Sequence, residues 1–173
     1  MSSNGIVNRV ANSKLITIDL EDFFPNSKIY ELDIKNWLTE GLFLIEKDFR
    51  NDLEKFDWSK FKEGHVAVQC SSNAIIPAWA YLLISLKLTS NCLSHVIGSK
   101  DFLIKCIIDN KIKQLESDKF NNMSVVIKGC SKKEIPLDSY SELIKKLKPL
   151  AKTIMFGEAC STVPLFKKPK SID

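Results

Sequence analysis

The sequence predicts an α/β protein: a mostly parallel sheet built from a duplicated βαβ unit, with an antiparallel strand pair at the N-terminus. Three observations carry that expectation. From His65 onward, short β-branched runs alternate with longer helical stretches. One pattern then recurs: Cys70-Ser71, Pro77, Tyr81 and Gly98 return as Cys130-Ser131, Pro136, Tyr140 and Gly157. Proline to tyrosine is four residues and proline to glycine 21 in both copies, so each copy reads as strand, Cys-Ser loop, helix, strand and glycine. Finally, two neighbouring runs near the N-terminus alternate in polarity on either side of a turn signal.

Taken in order, "KLITIDLEDFF" alternates at Leu15, Thr17 and Asp19, and Pro25-Asn26-Ser27 supplies the turn after it. "KIYELDIKNWL" alternates next, and the two make an expected antiparallel pair. Phe49, Leu53 and Phe56 recur at helical spacing in "EKDFRNDLEKF" and close an N-terminal segment of residues 1–62. The first βαβ repeat occupies 65–100: "HVAVQC" as strand, "PAWAYLLISLKL" as a helix opened by proline, and "SHVIG" as strand. A connecting helix follows over 101–116. The second repeat covers 123–158, with "MSVVIKGC", "PLDSYSELIKKLKPL" and "KTIMFG" in the same roles, and 159–173 reads as a tail. The two repeat helices differ. The second sets Leu143, Ile144 and Leu147 against Glu142, Lys145 and Lys146, whereas the first is apolar nearly all round and must be covered all round. Its cover is either the N-terminal segment, which has no other obvious place to pack, or a homodimer mate.

Composition limits the function classes. The 173 residues are 27% charged and 45% hydrophobic, the proportions of a soluble domain, and the reading is of a single one. The longest nearly apolar run, 74–88, is broken by Pro77, Ser85 and Lys87, so no membrane span is expected, and "MSSNGIVNRV" lacks a signal-peptide core. The expected location is cytoplasmic. Net charge is only +4, and the arginines are Arg9 and Arg50, which leaves little for nucleic-acid readout; no nucleic-acid partner is expected.

Cysteine is the informative residue. Five are present, an odd number with no export signal, which argues for reduced thiols. Three share a context: Cys70-Ser71, Cys130-Ser131 and Cys160-Ser161 each follow a predicted strand and precede a proline. In a parallel sheet the strand C-terminal ends share one edge, where ligands bind. Cys70 and Cys130 fall on that edge in loops that lead to helix N-termini, which favour thiolate, and the strand before Cys160 ends there too. Three readings stay open: a soft-metal site, either an iron–sulfur cluster with an external fourth ligand or a zinc site; a catalytic thiol; or loop thiols that pack. Catalysis is marked down. A phosphatase-type loop needs arginine six positions after cysteine, where Ile76 and Pro136 stand, and no C-x-x-C spacing occurs. Glu158, near the third cysteine, is a better candidate for an oxygen ligand or a base than Asp19, Glu21 or Asp22. Cys92 and Cys106 read as packing residues. His65 and His95 begin strands at the opposite edge, and Asp19, Glu21 and Asp22 read as a solvated strand end.

Several motifs together carry a resemblance: "IVNRVANSKLITIDLEDFFP", "DWSKF", "SSNAIIPAWAYLL", "IKGCS" and "IMFGEACSTVPLFKK". Over nearly the whole chain the sequence resembles the bacterial family known as domain of unknown function 2480. That resemblance carries no assigned activity. It implies a small cytoplasmic protein encoded near iron–sulfur assembly components, the scaffold and desulfurase of the Suf type, with the family-type cysteines at Cys70, Cys130 and Cys160. On this basis the expected role is a thiolate-based metal or iron–sulfur accessory in which three cysteines, Cys70, Cys130 and Cys160, converge, with iron–sulfur assembly proteins as partners. The alternatives are a non-enzymatic interaction module with incidental cysteines and a thiol-dependent sulfur carrier.

Overall fold

The computed structural model describes residues 15–129, 132–158 and 161–169. They form a mixed α/β structure whose sheets are mostly parallel. The chain divides into two compact units, a continuous one of Pro25–Ile107 and a split one of Met1–Phe24 with Ile108–Asp173.

The continuous unit begins with β2 (Lys28–Asp33), whose partner is β3 (Gly64–Gln69), and β3 pairs in turn with β4 (Ser94–Ile97), all parallel. Central β3 buries Val66, Ala67 and Val68 in succession, the unbroken apolar run of a strand covered on both faces. Helix α1 (Glu46–Lys55) turns Phe49 and Leu53 inward, and α2 (Ala78–Thr89) buries Ala80, Ile84 and Leu88 on one stripe. Trp37 meets Phe49 and Phe56 edge to face at 5.7 and 5.2 Å, and Trp58 donates its indole N–H to the Leu53 carbonyl at 2.8 Å. Of the two covers expected for α2, part of the N-terminal segment lies against it: Phe49 contacts Trp79 at 5.9 Å, and Glu54 pairs with Lys87 at 2.7 Å. The outward ridge of α2 stays uncovered, with Leu82 59% and Leu86 70% exposed.

The split unit orders its strands β1-β5-β6-β7, where β1 is Leu15–Asp19, β5 Ser124–Lys128, β6 Thr153–Glu158 and β7 Ser161–Lys167. The first three are parallel, and β5 is again a buried run, Val125, Val126 and Ile127. Helix α3 (Lys100–Gln114) contains the boundary between the units, and Ile108 and Ile112 on it are buried. Helix α4 (Leu137–Leu147) is amphipathic as read, with Leu143 and Leu147 buried and Lys145 exposed.

The expected antiparallel pair at the N-terminus is not formed. β1 pairs parallel with β5 and β2 parallel with β3, in separate sheets, and the antiparallel pair is β6 with β7, at the other end of the chain. The cause is local. Asp19 caps a one-turn 3-10 helix (Leu20–Phe23) through the Glu21 amide at 3.0 Å, and Asp33 caps its counterpart (Ile34–Trp37) through the Lys35 amide at 2.9 Å. Each strand therefore ends in a helical turn that carries the chain off the sheet, where a hairpin would have needed a tight reversal. Residues 161–167, read as tail, supply β7 instead.

Candidate functional site

In the split unit, β5 and β6 run parallel and end side by side. Lys128 closes β5 and Glu158 closes β6, and their side chains pair at 2.7 Å. The next residue after Lys128 is Gly129, at φ +135°, where a Cβ would stand 3.0 Å from the Leu20 Cβ and 3.1 Å from the Tyr140 hydroxyl. The Tyr140 hydroxyl donates to the Gly129 carbonyl. Beyond it the loop is held by Glu21: its carboxylate accepts the Lys132 amide at 2.8 Å, and its carbonyl accepts from the Lys133 ammonium at 3.3 Å. Between this loop, α4 and the strands lies a cavity of about 450 Å³, walled by Ile127, Ile135, Tyr140, Ile144 and Phe156.

The continuous unit carries a related arrangement at the end of β3. Cys70 follows Gln69 directly, and its Sγ lies 3.2 Å from the Ser72 hydroxyl. The Ser71 amide donates to Asp33 at 3.0 Å, so the carboxylate that caps the turn after β2 also holds the Cys-Ser loop. Burial alone would raise the Asp33 carboxyl, but hydrogen bonds from Ser71 and Lys35, with the Lys35 charge, outweigh it and hold the group below its ordinary range. Tyr81, four residues after Pro77, has its phenol pushed up by burial and by the nearby Cys70 and Asp33.

The structure thus puts Cys70 in one unit and the strand ends before Cys130 and Cys160 in the other; Cys130 and Cys160 themselves lie outside the described residues. Glu158 is engaged by Lys128. Cys92 donates to the Leu88 carbonyl at 3.2 Å and lies 3.9 Å from His95 Nδ1; burial pushes its thiol up and pushes the His95 imidazole down, so both favour their neutral forms. His65 Nδ1 lies 2.8 Å from the Ser94 hydroxyl. Among the described residues no three His, Cys, Asp or Glu side chains are grouped to hold a metal ion, so these residues by themselves do not fit a zinc or iron–sulfur centre. Sequence reasoning passed over Asp33, Glu21 and the two tyrosines as site residues. The signal was present for the tyrosines, which keep the same spacing in Pro77–Tyr81 and Pro136–Tyr140, and for Asp33, which closes its strand as Asp19 closes β1.

Mostly parallel strands alternating with helices define the protein as an α/β fold, a class in which ligands commonly bind at the C-terminal edge of the strands. Within that class the chain belongs to the family described as "Protein of unknown function (DUF2480)", whose sequence profile matches residues 4–168. No curated protein and no solved structure matches it. No helix among the described residues is long and apolar enough to cross a membrane.

Proposed function

We propose that the protein is a thiolate-based accessory of soft-metal or iron–sulfur chemistry, with Cys130 and Cys160 as its central pair of ligands. The observation that carries this reading is the Lys128–Glu158 ion pair. It joins the ends of adjacent parallel strands, and each strand continues through one small residue into Cys-Ser: Lys128-Gly129-Cys130-Ser131 and Glu158-Ala159-Cys160-Ser161. Neighbouring strands lie about 4.8 Å apart. Each cysteine comes two positions after its strand end in sequence, a stretch of at most about 7 Å, and the reading takes both thiols to one small ligand. The remaining coordination positions go to a small thiol or to a protein partner, for which iron–sulfur assembly proteins are the class the family resemblance favours. A metal or cluster held there would supply its own electron-transfer or delivery chemistry, and the chain would supply thiolates to hold it.

We further infer that the two units derive from one duplicated βαβ segment. Phe61, Pro77, Tyr81, Ile84, Leu88 and Gly98 correspond at a constant offset to Phe120, Pro136, Tyr140, Leu143, Leu147 and Gly157. Hydrogen bonds correspond as well: Leu93 N–H to the Gly64 carbonyl at 2.8 Å matches Lys152 N–H to the Met123 carbonyl at 2.8 Å. The likeness extends to β1 and β2, where Asp19 and Asp33 cap equivalent turns. Cys70 is then the thiol of the older or younger copy, in a loop one residue longer before its proline.

The test is anaerobic purification followed by an absorption spectrum and analysis for iron, zinc and sulfide. Charge-transfer absorption between roughly 320 and 420 nm, or stoichiometric zinc, is expected, and it should be lost in both Cys130→Ser and Cys160→Ser. A metal-free protein, or one whose metal content survives both substitutions, overturns the reading. Persulfide on Cys160 of a metal-free protein would establish the sulfur carrier in its place.

A further inference from the structure

We propose that the cavity of the split unit binds a small amphiphilic carboxylic acid, its apolar body among Ile127, Ile144 and Phe156 and its carboxylate on Lys133. The cavity, about 450 Å³, is within the range of small-molecule sites. It opens at the C-terminal edge of β5 and β6, where α/β sheets commonly receive ligands. Its walls are largely hydrocarbon, and Leu137 and Leu165 on them are left 85% and 52% exposed. Covering these side chains would remove apolar surface from water, which favours an occupant with an apolar body.

The head group follows from the charges. Tyr140 spends its hydroxyl proton on the Gly129 carbonyl. Glu134 is exposed to solvent, which screens it. Lys133 is half-buried, and its ammonium has the Glu21 carbonyl at 3.3 Å and the Phe24 ring at 5.0 Å. Among the described residues no carboxylate pairs with Lys133, and an ammonium with three donors retains capacity for an anion. One such cation suits a monoanion; a phosphate ester would call for a fork of donors, and among the described residues that line this wall there is no arginine. This inference does not rest on the cysteines.

Calorimetric titration of the full chain with octanoate and with 1-octanol tests it. Octanoate should bind, and about tenfold more tightly than the alcohol, because only the acid reaches the ammonium. Ile144→Trp and Ile135→Phe, which fill the cavity from the helix and from the loop, should each weaken both probes by more than about fivefold. Lys133→Gln should weaken octanoate by about fivefold to tenfold and leave octanol unchanged. Thermal melting identifies a variant that has lost its fold, and the remaining variants then decide. No heat with millimolar octanoate overturns the proposal. Wild-type affinity in the folded filling variants does so too, since binding then occurs elsewhere, as on the exposed Leu82–Leu86 ridge.

Discussion

The Asp33 carboxylate accepts the backbone amide of Ser71 at 3.0 Å, across 38 residues of sequence. It also accepts the Lys35 amide at 2.9 Å, so one side chain ends β2, begins the turn after it and anchors the loop that carries Cys70. Asp33→Ala leaves those amides without their acceptor and should cost about 1–2 kcal/mol, read by urea unfolding. The carboxyl is held below its ordinary value of 3.8, so its contribution is present above that pH and is lost as pH falls through the lowered value. The variant should therefore show a shallower loss of stability in acid than wild type.

Gly129 stands at φ +135° with Leu20 and Tyr140 against the place a Cβ would take. Gly129→Ala combines backbone strain with that crowding and should destabilise the protein by about 1–3 kcal/mol. It should also change the environment of Tyr140, whose hydroxyl donates to the same residue's carbonyl, and near-ultraviolet circular dichroism would register the change.

Ser139 and Asp109 form a buried polar pair in the split unit, with the hydroxyl donating to the carboxylate at 2.8 Å. Ser139→Ala withdraws one donor from a carboxylate that is only 9% exposed, and a loss of about 1–3 kcal/mol is expected in chemical denaturation.

Cys92 should be the slow thiol. Burial pushes it above the ordinary 9.0, and its proton is given to the Leu88 carbonyl. With iodoacetamide at neutral pH, peptide mass spectrometry should find Cys92 labelled about tenfold or more slowly than an unstructured thiol, with the rate rising steeply at alkaline pH. Labelling at the unstructured rate would contradict the burial argument.

The helices and most strands were legible because their signals are local. Phe49 and Leu53 at helical spacing mark α1; Pro77 and Pro136 mark the starts of α2 and α4; Val66-Ala67-Val68 and Val125-Val126-Ile127 mark central strands. The pairing of β1 and β2 was not legible. Alternation reports that a strand has two faces and is silent about which strand lies beside it, and the Asp19 and Asp33 caps that divert the chain look like surface acids in sequence. Strand β7 was missed because Pro164 and a run of lysines resemble a tail, yet an edge strand tolerates both.

The sequence by itself determined the α/β class, the recurrence of Cys-Ser and of proline, tyrosine and glycine at matching spacings, and the three thiols to be tested. These follow from side-chain period and from residue types whose backbone limits act within a few positions. Tertiary structure alone decided that β1 joins β5 and β2 joins β3, that Lys128 pairs with Glu158, and that a cavity opens beside Lys133. Those relationships join residues far apart in the chain, and they exist only because burying two separate apolar strand runs required each to find its own partners.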